Sequence, residues 1–134
     1  MRCRGIRGAT TAAENSAEAI LAATRELLAL LVERNETSLD EIASAFFTVS
    51  DDLDAEYPAL AARQLGWQDV ALLCAREIPV PGSLARCIRV LLHVNTDKSA
   101  QELRHVYLGA AIALRPSRAD SSSSRVPHAG ETPS

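Results

Sequence analysis

The residues of this sequence that could do chemistry are polar side chains set in or beside apolar stretches. No pattern of a nucleophile elbow, a phosphate-binding loop, a dinucleotide-binding turn or a zinc protease accompanies them. Arginine dominates the basic residues, and its planar guanidinium suits carboxylates in a way that lysine cannot imitate. The candidate set is Arg7, Cys74, Glu77, Arg89, Tyr107 and Arg115.

Arg89 is the most conspicuous member, because it interrupts the stretch CIRVLLHV at residues 87–94. Alternate residues of this stretch are aliphatic, which predicts a β-strand with one buried face. The face that carries Arg89 is also mostly apolar, so we expect both faces to be covered. A buried, unpaired charge costs several kcal/mol, so Arg89 needs partners. These are either carboxylates of the protein or groups of a ligand.

Each candidate also has an ordinary structural explanation. Glu77 can simply neutralise Arg89, and this ion pair is the interpretation that the two residues alone favour. Tyr107 fits a half-buried core residue with its hydroxyl at the rim, and Cys74 fits a small apolar residue. Arg63, in a short polar helix, is typical of a solvated charge. Composition and spacing alone therefore leave the function open.

The bulk properties narrow the class of protein. The chain has 134 residues, 47% of them hydrophobic and 23% charged, as expected for one globular domain. A net charge of -3 argues against a nucleic-acid surface. Three cysteines without metal-ligand spacing predict reduced thiols, a cytoplasmic location and no metal site. The longest apolar run, near residues 27–32, is too short to span a membrane, and no secretory signal is evident.

The order of elements predicts an α/β domain of the mixed α+β kind. We expect a helix that begins at Asn15 or Ser16 and ends near Asn35. Gly5 and Gly8 are expected to leave room for another backbone or a ligand. The domain is predicted to span residues 1–116, followed by a disordered tail at 117–134. Strands are predicted at residues 3–9, 45–50, 70–74, 86–95 and 105–114, with short helices after Ser38, Pro58 and Ser99.

Four segments in combination resemble the monofunctional AroH-class chorismate mutases. They are RGIRGATT at residues 4–11, CIRV at 87–90, RHVYL at 104–108 and LRP at 114–116. The resemblance implies a homotrimer in which mixed β-sheets form a pseudo-α/β-barrel with helices on the outside. It implies active sites in the clefts between subunits, and conversion of chorismate to prephenate on the way to phenylalanine and tyrosine. No cofactor, metal, nucleic acid or membrane is implied.

The resemblance also suggests which residues act. Leu60 and Leu73 depart from the family, at positions where other members carry a lysine and a threonine. Carried over by motif, the catalytic residues are Arg7, Glu77 and Arg89, and Tyr107 binds substrate beside them. The neighbouring subunit would supply Tyr57, Ala59, Arg63, Leu72, Leu73 and Cys74, and Leu114 and Arg115 would lie at the C-terminal rim.

Two other classes of protein stay in view at this point. A trimeric binding protein could use the same arginines to hold a small dicarboxylate without turning it over. An α/β domain whose arginines form only structural ion pairs would bind no ligand. Arg89 discriminates between them, because a binding protein has no reason to direct a cation at an ether oxygen.

Overall fold

The computed structural model describes residues 1–115, and the end of the predicted domain and the whole predicted tail lie outside the described residues. Among residues 1–115, no helix is both long and apolar enough to cross a membrane. The strands are β1 (Arg2–Thr11), β2 (Ile42–Val49), β3 (Ala71–Arg76), β4 (Cys87–Thr96) and β5 (Val106–Tyr107), and the α-helices are α1 (Ala17–Asn35) and α2 (Ala59–Gln64).

The five strands form one mixed sheet in the order β3-β2-β4-β1-β5. The central strand β4 is antiparallel to both of its neighbours, β1 and β2. The outer pairs, β1 with β5 and β2 with β3, are parallel. The predicted mixed sheet with helices is therefore confirmed.

Helix α1 covers one face of this sheet. It begins after Ser16, whose hydroxyl accepts a hydrogen bond from the N–H of Ala19. Asn15, the alternative cap, instead accepts from the N–H groups of Asp54 and Ala55 and tethers the loop after β2. The helix ends where Glu36 adopts a left-handed conformation, with φ at 50°. Its buried side chains are Ile20, Thr24, Leu27, Leu28, Leu31 and Asn35.

Gly8 of β1 sets how closely α1 approaches the sheet. A Cβ atom at Gly8 would lie 2.9 Å from Cδ1 of Leu31 and 3.1 Å from Cδ1 of Leu27. The space on the side of Gly8 that faces α1 is therefore filled by helix side chains and is not available to a ligand, whereas its other side lines a cavity on the opposite face of the sheet. At Gly5, a Cβ atom would meet Leu91 at an ordinary 3.4 Å.

The opposite face of the sheet is only partly covered, and we call it the open face. Aliphatic residues of β4 from Ile88 to Val94 are buried under α1, as predicted. On the open face, by contrast, Phe46 is 45% exposed and Leu73 is 57% exposed. Among residues 1–115, the second face of β4 is half-buried, so the expectation that both of its faces are covered is met only in part. The open face comprises Ser44, Phe46, Thr48, Leu73, Arg89, Leu91 and His93.

The last predicted strand is much shorter than expected. We predicted a strand over residues 105–114, but β5 ends at Tyr107 and a 3₁₀-helix follows over Gly109–Leu114. The N–H of Leu108 still donates to the carbonyl of Ala9. Gly109 then takes a φ of 57°, which turns the chain away from the sheet. The apolar residues that follow Gly109 therefore belong to a 3₁₀-helix and not to a strand.

Candidate active site

One row of residues runs across the whole sheet and contains the candidate catalytic arginine. Pairing between the strands aligns Ala75, Thr48, Arg89, Ala9 and Tyr107, each on a different strand. Residues paired in this way point to the same face of a sheet. Arg89 and Tyr107 were predicted from separate motifs, and the fold brings them into a single row on the open face.

Glu77 joins this row from the end of β3. Its N–H donates to the carbonyl of Val49 at 2.9 Å, which continues the ladder beyond Arg76. Its carboxylate oxygen Oε2 accepts a hydrogen bond from the hydroxyl of Thr48. The same oxygen lies 3.7 Å from Nε of Arg89, close enough for an ion pair but too far for a hydrogen bond. The predicted pairing of Glu77 with Arg89 is thus present, but it leaves the guanidinium incompletely bonded.

Two buried donors in this row have no hydrogen-bond partner among residues 1–115, namely Nε of Arg89 and the hydroxyl of Tyr107. An unsatisfied buried donor costs about 1–3 kcal/mol, so two such groups at one place point to a ligand. Both line a cavity of about 230 Å³ that also contacts Glu77. Burial raises the pKa of the Tyr107 phenol, while the charges of Arg7 and Arg89 oppose that rise. Tyr107 is therefore a protonated donor at neutral pH.

Arg7 lies beside the same row. It is two residues before Ala9 on β1 and pairs with Leu91, so its side chain shares the face of Arg89. Its N–H donates to Nδ1 of His105 at 2.9 Å, a bond that ties β1 to the residue preceding β5. The predicted group of Arg7, Glu77, Arg89 and Tyr107 thus converges on one end of the open face.

The residues predicted to serve a neighbouring subunit lie elsewhere. Cys74 packs on the helix face of the sheet, opposite the face that Glu77 occupies. Burial raises the pKa of its thiol, and the backbone of Ala59 and the charge of Arg63 act in the opposite sense. With Tyr57, which is 69% exposed, Cys74 lines a second cavity of about 340 Å³ at the β3 edge. A single chain therefore does not bring the two predicted groups together.

Comparison with known proteins identifies the family of this chain. The sequence model of the family "Chorismate mutase type I" matches residues 3–118. The chain belongs to the type I chorismate mutase family. Chorismate mutase AroH of Thermus thermophilus is 55% identical over 114 residues, covering 84% of this chain and 93% of that protein. Chorismate mutase AroH of Bacillus subtilis is 43% identical over 117 residues, covering 87% and 92%.

A solved structure extends the similarity to the fold. Chorismate mutase from Clostridium thermocellum superimposes with a TM-score of 0.80 at 52% sequence identity. The match covers 81% of this chain and 97% of that chain. The predicted membership in the chorismate mutase family and the predicted fold class are both confirmed.

The remaining residues carried over from the chorismate mutase motifs do not form one continuous wall. Ala59 is only 3% exposed and packs in the core, so its backbone is the part that faces Cys74. Leu72 also packs against the core, whereas Leu73 projects from the other side of β3. Leu114 packs against the cluster around Tyr107. Arg115, the last described residue, is exposed and its N–H donates to the carbonyl of Ile112.

Three polar residues around this chorismate mutase site were missed by the sequence analysis. Thr48 and His105 hydrogen-bond to Glu77 and Arg7, as described above. Asp52 accepts from the N–H of Arg86 through both carboxylate oxygens, at 3.1 and 2.9 Å, and fixes the end of the loop between β3 and β4. Threonine is common in β-strands, so its presence in the apolar run AFFTVS gave no signal of this kind.

Proposed function

We propose that this chain catalyses the rearrangement of chorismate to prephenate at the cavity beside Arg89. The observation that carries the proposal is a pair of buried donors, Nε of Arg89 and the hydroxyl of Tyr107, which have no hydrogen-bond partner in the described part of the chain and whose residues line one cavity. Family membership indicates chorismate as the substrate, and the two donors indicate how the protein would stabilise the reaction.

The reaction makes unusual demands on a protein. Chorismate is a dianion with an enolpyruvyl ether, and a C–O bond breaks while a C–C bond forms in one concerted step. No proton has to move and no nucleophile is required, which accounts for a sequence without a recognisable catalytic triad. The protein has to hold the compact conformer of the substrate and stabilise negative charge that develops on the ether oxygen.

The cluster on the open face suits both demands. Arg89 would donate one N–H to the ether oxygen and another to the side-chain carboxylate of the substrate, as its planar fork permits. Arg7 and Tyr107 would hold that same carboxylate. Glu77 would accept a hydrogen bond from the ring hydroxyl while it balances the charge of Arg89. Arg63 and Arg115 are our candidates for the ring carboxylate.

The magnitudes require more than one contribution. An acceleration of about 10⁶-fold corresponds to roughly 8 kcal/mol. One preorganised donor to a developing oxyanion is worth about 3–4 kcal/mol. The remainder has to come from orientation of the substrate and from exclusion of its extended conformers. Arg89 and the carboxylate clamps are therefore both necessary.

The proposal includes a homotrimer with active sites between subunits. Support comes from the open face, where residues 1–115 leave Phe46 45% exposed and Leu73 57% exposed. Neighbouring exposed apolar side chains are typical of a surface that another chain covers. A neighbouring copy would bury that surface and bring its Tyr57, Arg63 and Cys74 to the cavity beside Arg89. We place the enzyme in the cytoplasm, because its three cysteines are free thiols and a reducing compartment keeps them so.

The test is direct incubation of the purified protein with chorismate. We expect chorismate absorbance to fall with multiple turnovers as prephenate accumulates. Binding of chorismate without its consumption would support the non-catalytic dicarboxylate-binding protein instead. Neither binding nor consumption would leave only the structural ion-pair interpretation.

A further inference from the structure

We propose that Thr48 is a positioning residue, which holds the carboxylate of Glu77 and so keeps Nε of Arg89 free for substrate. The inference rests on the proposed function, because it assigns Arg89 the ether oxygen. It adds a residue that lies outside the motifs from which the site was predicted. Thr48 lines the same cavity, and the role we assign to it is exerted through Glu77 and Arg89.

The register of the sheet places Thr48 where it can do this. Thr48 lies on β2, where it pairs with Arg89 of β4 and with Ala75 of β3. Ala75 precedes Glu77 by two residues, so the Glu77 side chain is on the same face as Thr48. Its hydroxyl donates to Oε2 of Glu77. The backbone of Glu77 is held as well, by its hydrogen bond to the carbonyl of Val49. The backbone and the carboxylate of Glu77 are thus both hydrogen-bonded to β2.

The distance between Arg89 and Glu77 shows the effect of this attachment. A charge-assisted hydrogen bond between a guanidinium and a carboxylate is about 2.7–2.9 Å long. Nε of Arg89 stops 3.7 Å from Oε2, although the two side chains are only 23% and 33% exposed and their charges attract. Oε2 is the oxygen that Thr48 already holds.

Removal of the Thr48 hydroxyl should let Arg89 and Glu77 approach to hydrogen-bond distance. Among residues 1–115, Thr48 is the hydrogen-bond donor to the Glu77 carboxylate, so its loss leaves that carboxylate with Arg89 as the nearest replacement. A closed pair would occupy the N–H that the ether oxygen needs. Each turnover would then have to break a charge-assisted hydrogen bond before Arg89 could stabilise the transition state.

The loss should appear in kcat more than in KM, because Arg89 meets charge that develops mainly in the transition state. We expect Thr48→Val, which has the same shape and β-branching, to lower kcat about tenfold, the size expected when one hydrogen bond to a charged group is lost. KM should change by less than about threefold. Thr48→Ser restores the hydroxyl and should recover most of kcat.

A matched control separates positioning from a general loss of stability. Thr24 is fully buried in α1, and its hydroxyl donates to the carbonyl of Ile20 at 2.7 Å, away from the open face. Thr24→Val should lower the unfolding midpoint without a comparable loss of kcat. If Thr24→Val and Thr48→Val depress kcat equally, the effect of Thr48 is general and the proposal fails.

Two further measurements make the test decisive. In the Glu77→Gln background, Thr48→Val should change kcat by less than about twofold, because the neutral amide no longer draws Arg89 in. A crystal structure of Thr48→Val should show the Arg89–Glu77 contact shortened to hydrogen-bond length. Additive effects in the double variant, or an unchanged distance, would overturn the proposal. Thr48→Ala replaces Thr48→Val in every arm if the valine variant does not fold.

The outcome also distinguishes this inference from the proposed function. If the wild-type protein does not consume chorismate, the proposed function fails, and the distance in the Thr48→Val crystal still decides whether Thr48 holds the pair apart. If the wild type is active and Thr48→Val is equally active, only the role of Thr48 is wrong.

Discussion

Arg89 is the residue on which turnover should depend most. Lysine keeps a positive charge but lacks the planar fork that could bond the ether oxygen and the carboxylate together. We therefore expect Arg89→Lys to lower kcat by about 10²–10³-fold, the cost of one lost oxyanion donor. Steady-state kinetics on folded variant protein would measure it. A change confined to KM would show that Arg89 binds substrate but does not stabilise the transition state.

Arg63 should behave differently. It is exposed on α2, and the carboxylate that we assign to it is equally charged in the ground state and in the transition state. We expect Arg63→Ala to raise KM about tenfold and to leave kcat nearly unchanged. Collapse of kcat at unaltered KM would contradict the assignment.

The cysteines should be poor nucleophiles. Burial raises the pKa of both Cys74 and Cys87, so little thiolate is present at neutral pH. Cys3 is exposed. We expect iodoacetamide at pH 7 to label Cys3 at least tenfold faster than the other two, followed by mass spectrometry of peptides. Rapid labelling of Cys74, or loss of activity in Cys74→Ser, would indicate a reactive thiol in the site.

Charged site residues are easier to predict from the sequence than the residues that position them. Arg89 stands out because a guanidinium in an apolar strand is expensive, whatever the fold. Thr48 and His105 carry no such penalty, since both residue types are common in strands and at their ends. Their importance comes from partners far away in the chain, 29 residues for Thr48 and 98 for His105. Only the strand register brings those partners together.

Among the elements, the loop that joins β3 to β4 should be sensitive to acid. The hydroxyl of Ser50 and the N–H of Arg86 lower the pKa of Asp52. A carboxyl whose pKa is lowered on folding contributes stability above its unfolded pKa, near 3.8, and loses it as pH falls through the folded value. Because Asp52 is exposed, we expect this contribution to stay below about 1 kcal/mol.

Urea unfolding of the wild type and Asp52→Asn over a range of pH would test this. The wild type should be the more stable protein at pH 7, and the difference should shrink as the pH falls below 3.8 and the carboxyl group becomes protonated in the folded state as well. A difference that persists in strong acid would mean that Asp52 acts through packing and not through its charge.

Prediction of the helices and strands succeeded where local signals were strong and failed where a single residue turns the chain. Ser16 and the aliphatic stripe predicted α1 to within about a turn. A strand was predicted where the 3₁₀-helix follows Tyr107, because residues 110–114 form a continuous apolar run, which a buried strand and a short helix share. Gly109 decides the matter, and a glycine alone does not announce a positive φ.

For the whole molecule, activity should depend on association. The open face and the separation of the two groups of site residues lead us to expect an inactive monomer. Phe46→Asp places a charge in the proposed interface and should dissociate the trimer, with activity per subunit falling at least a hundredfold. Sedimentation velocity at assay concentration, combined with chorismate turnover, would measure both. An active monomer would rule out the interfacial site.

The sequence also misled at this scale for a physical reason. Apolar residues on both faces of β4 predicted that both faces are covered, but among residues 1–115 one face is buried and the other is only half-buried. Hydrophobic periodicity reports that a surface avoids water, but it does not say which chain provides the cover. The expectation of three subunits therefore rests on the family resemblance and not on the pattern.

Strand β1 shows how little freedom evolution has in part of this molecule. Arg7 and Ala9 point to the open face, on which the proposed substrate cavity lies, while Gly8 between them admits the side chains of α1. An inserted or deleted residue within β1 would exchange the two faces, presenting a guanidinium to the helix and a bare backbone to the substrate. Changes of length can therefore accumulate in the loops, but not here: this strand has to vary, if at all, by substitution alone.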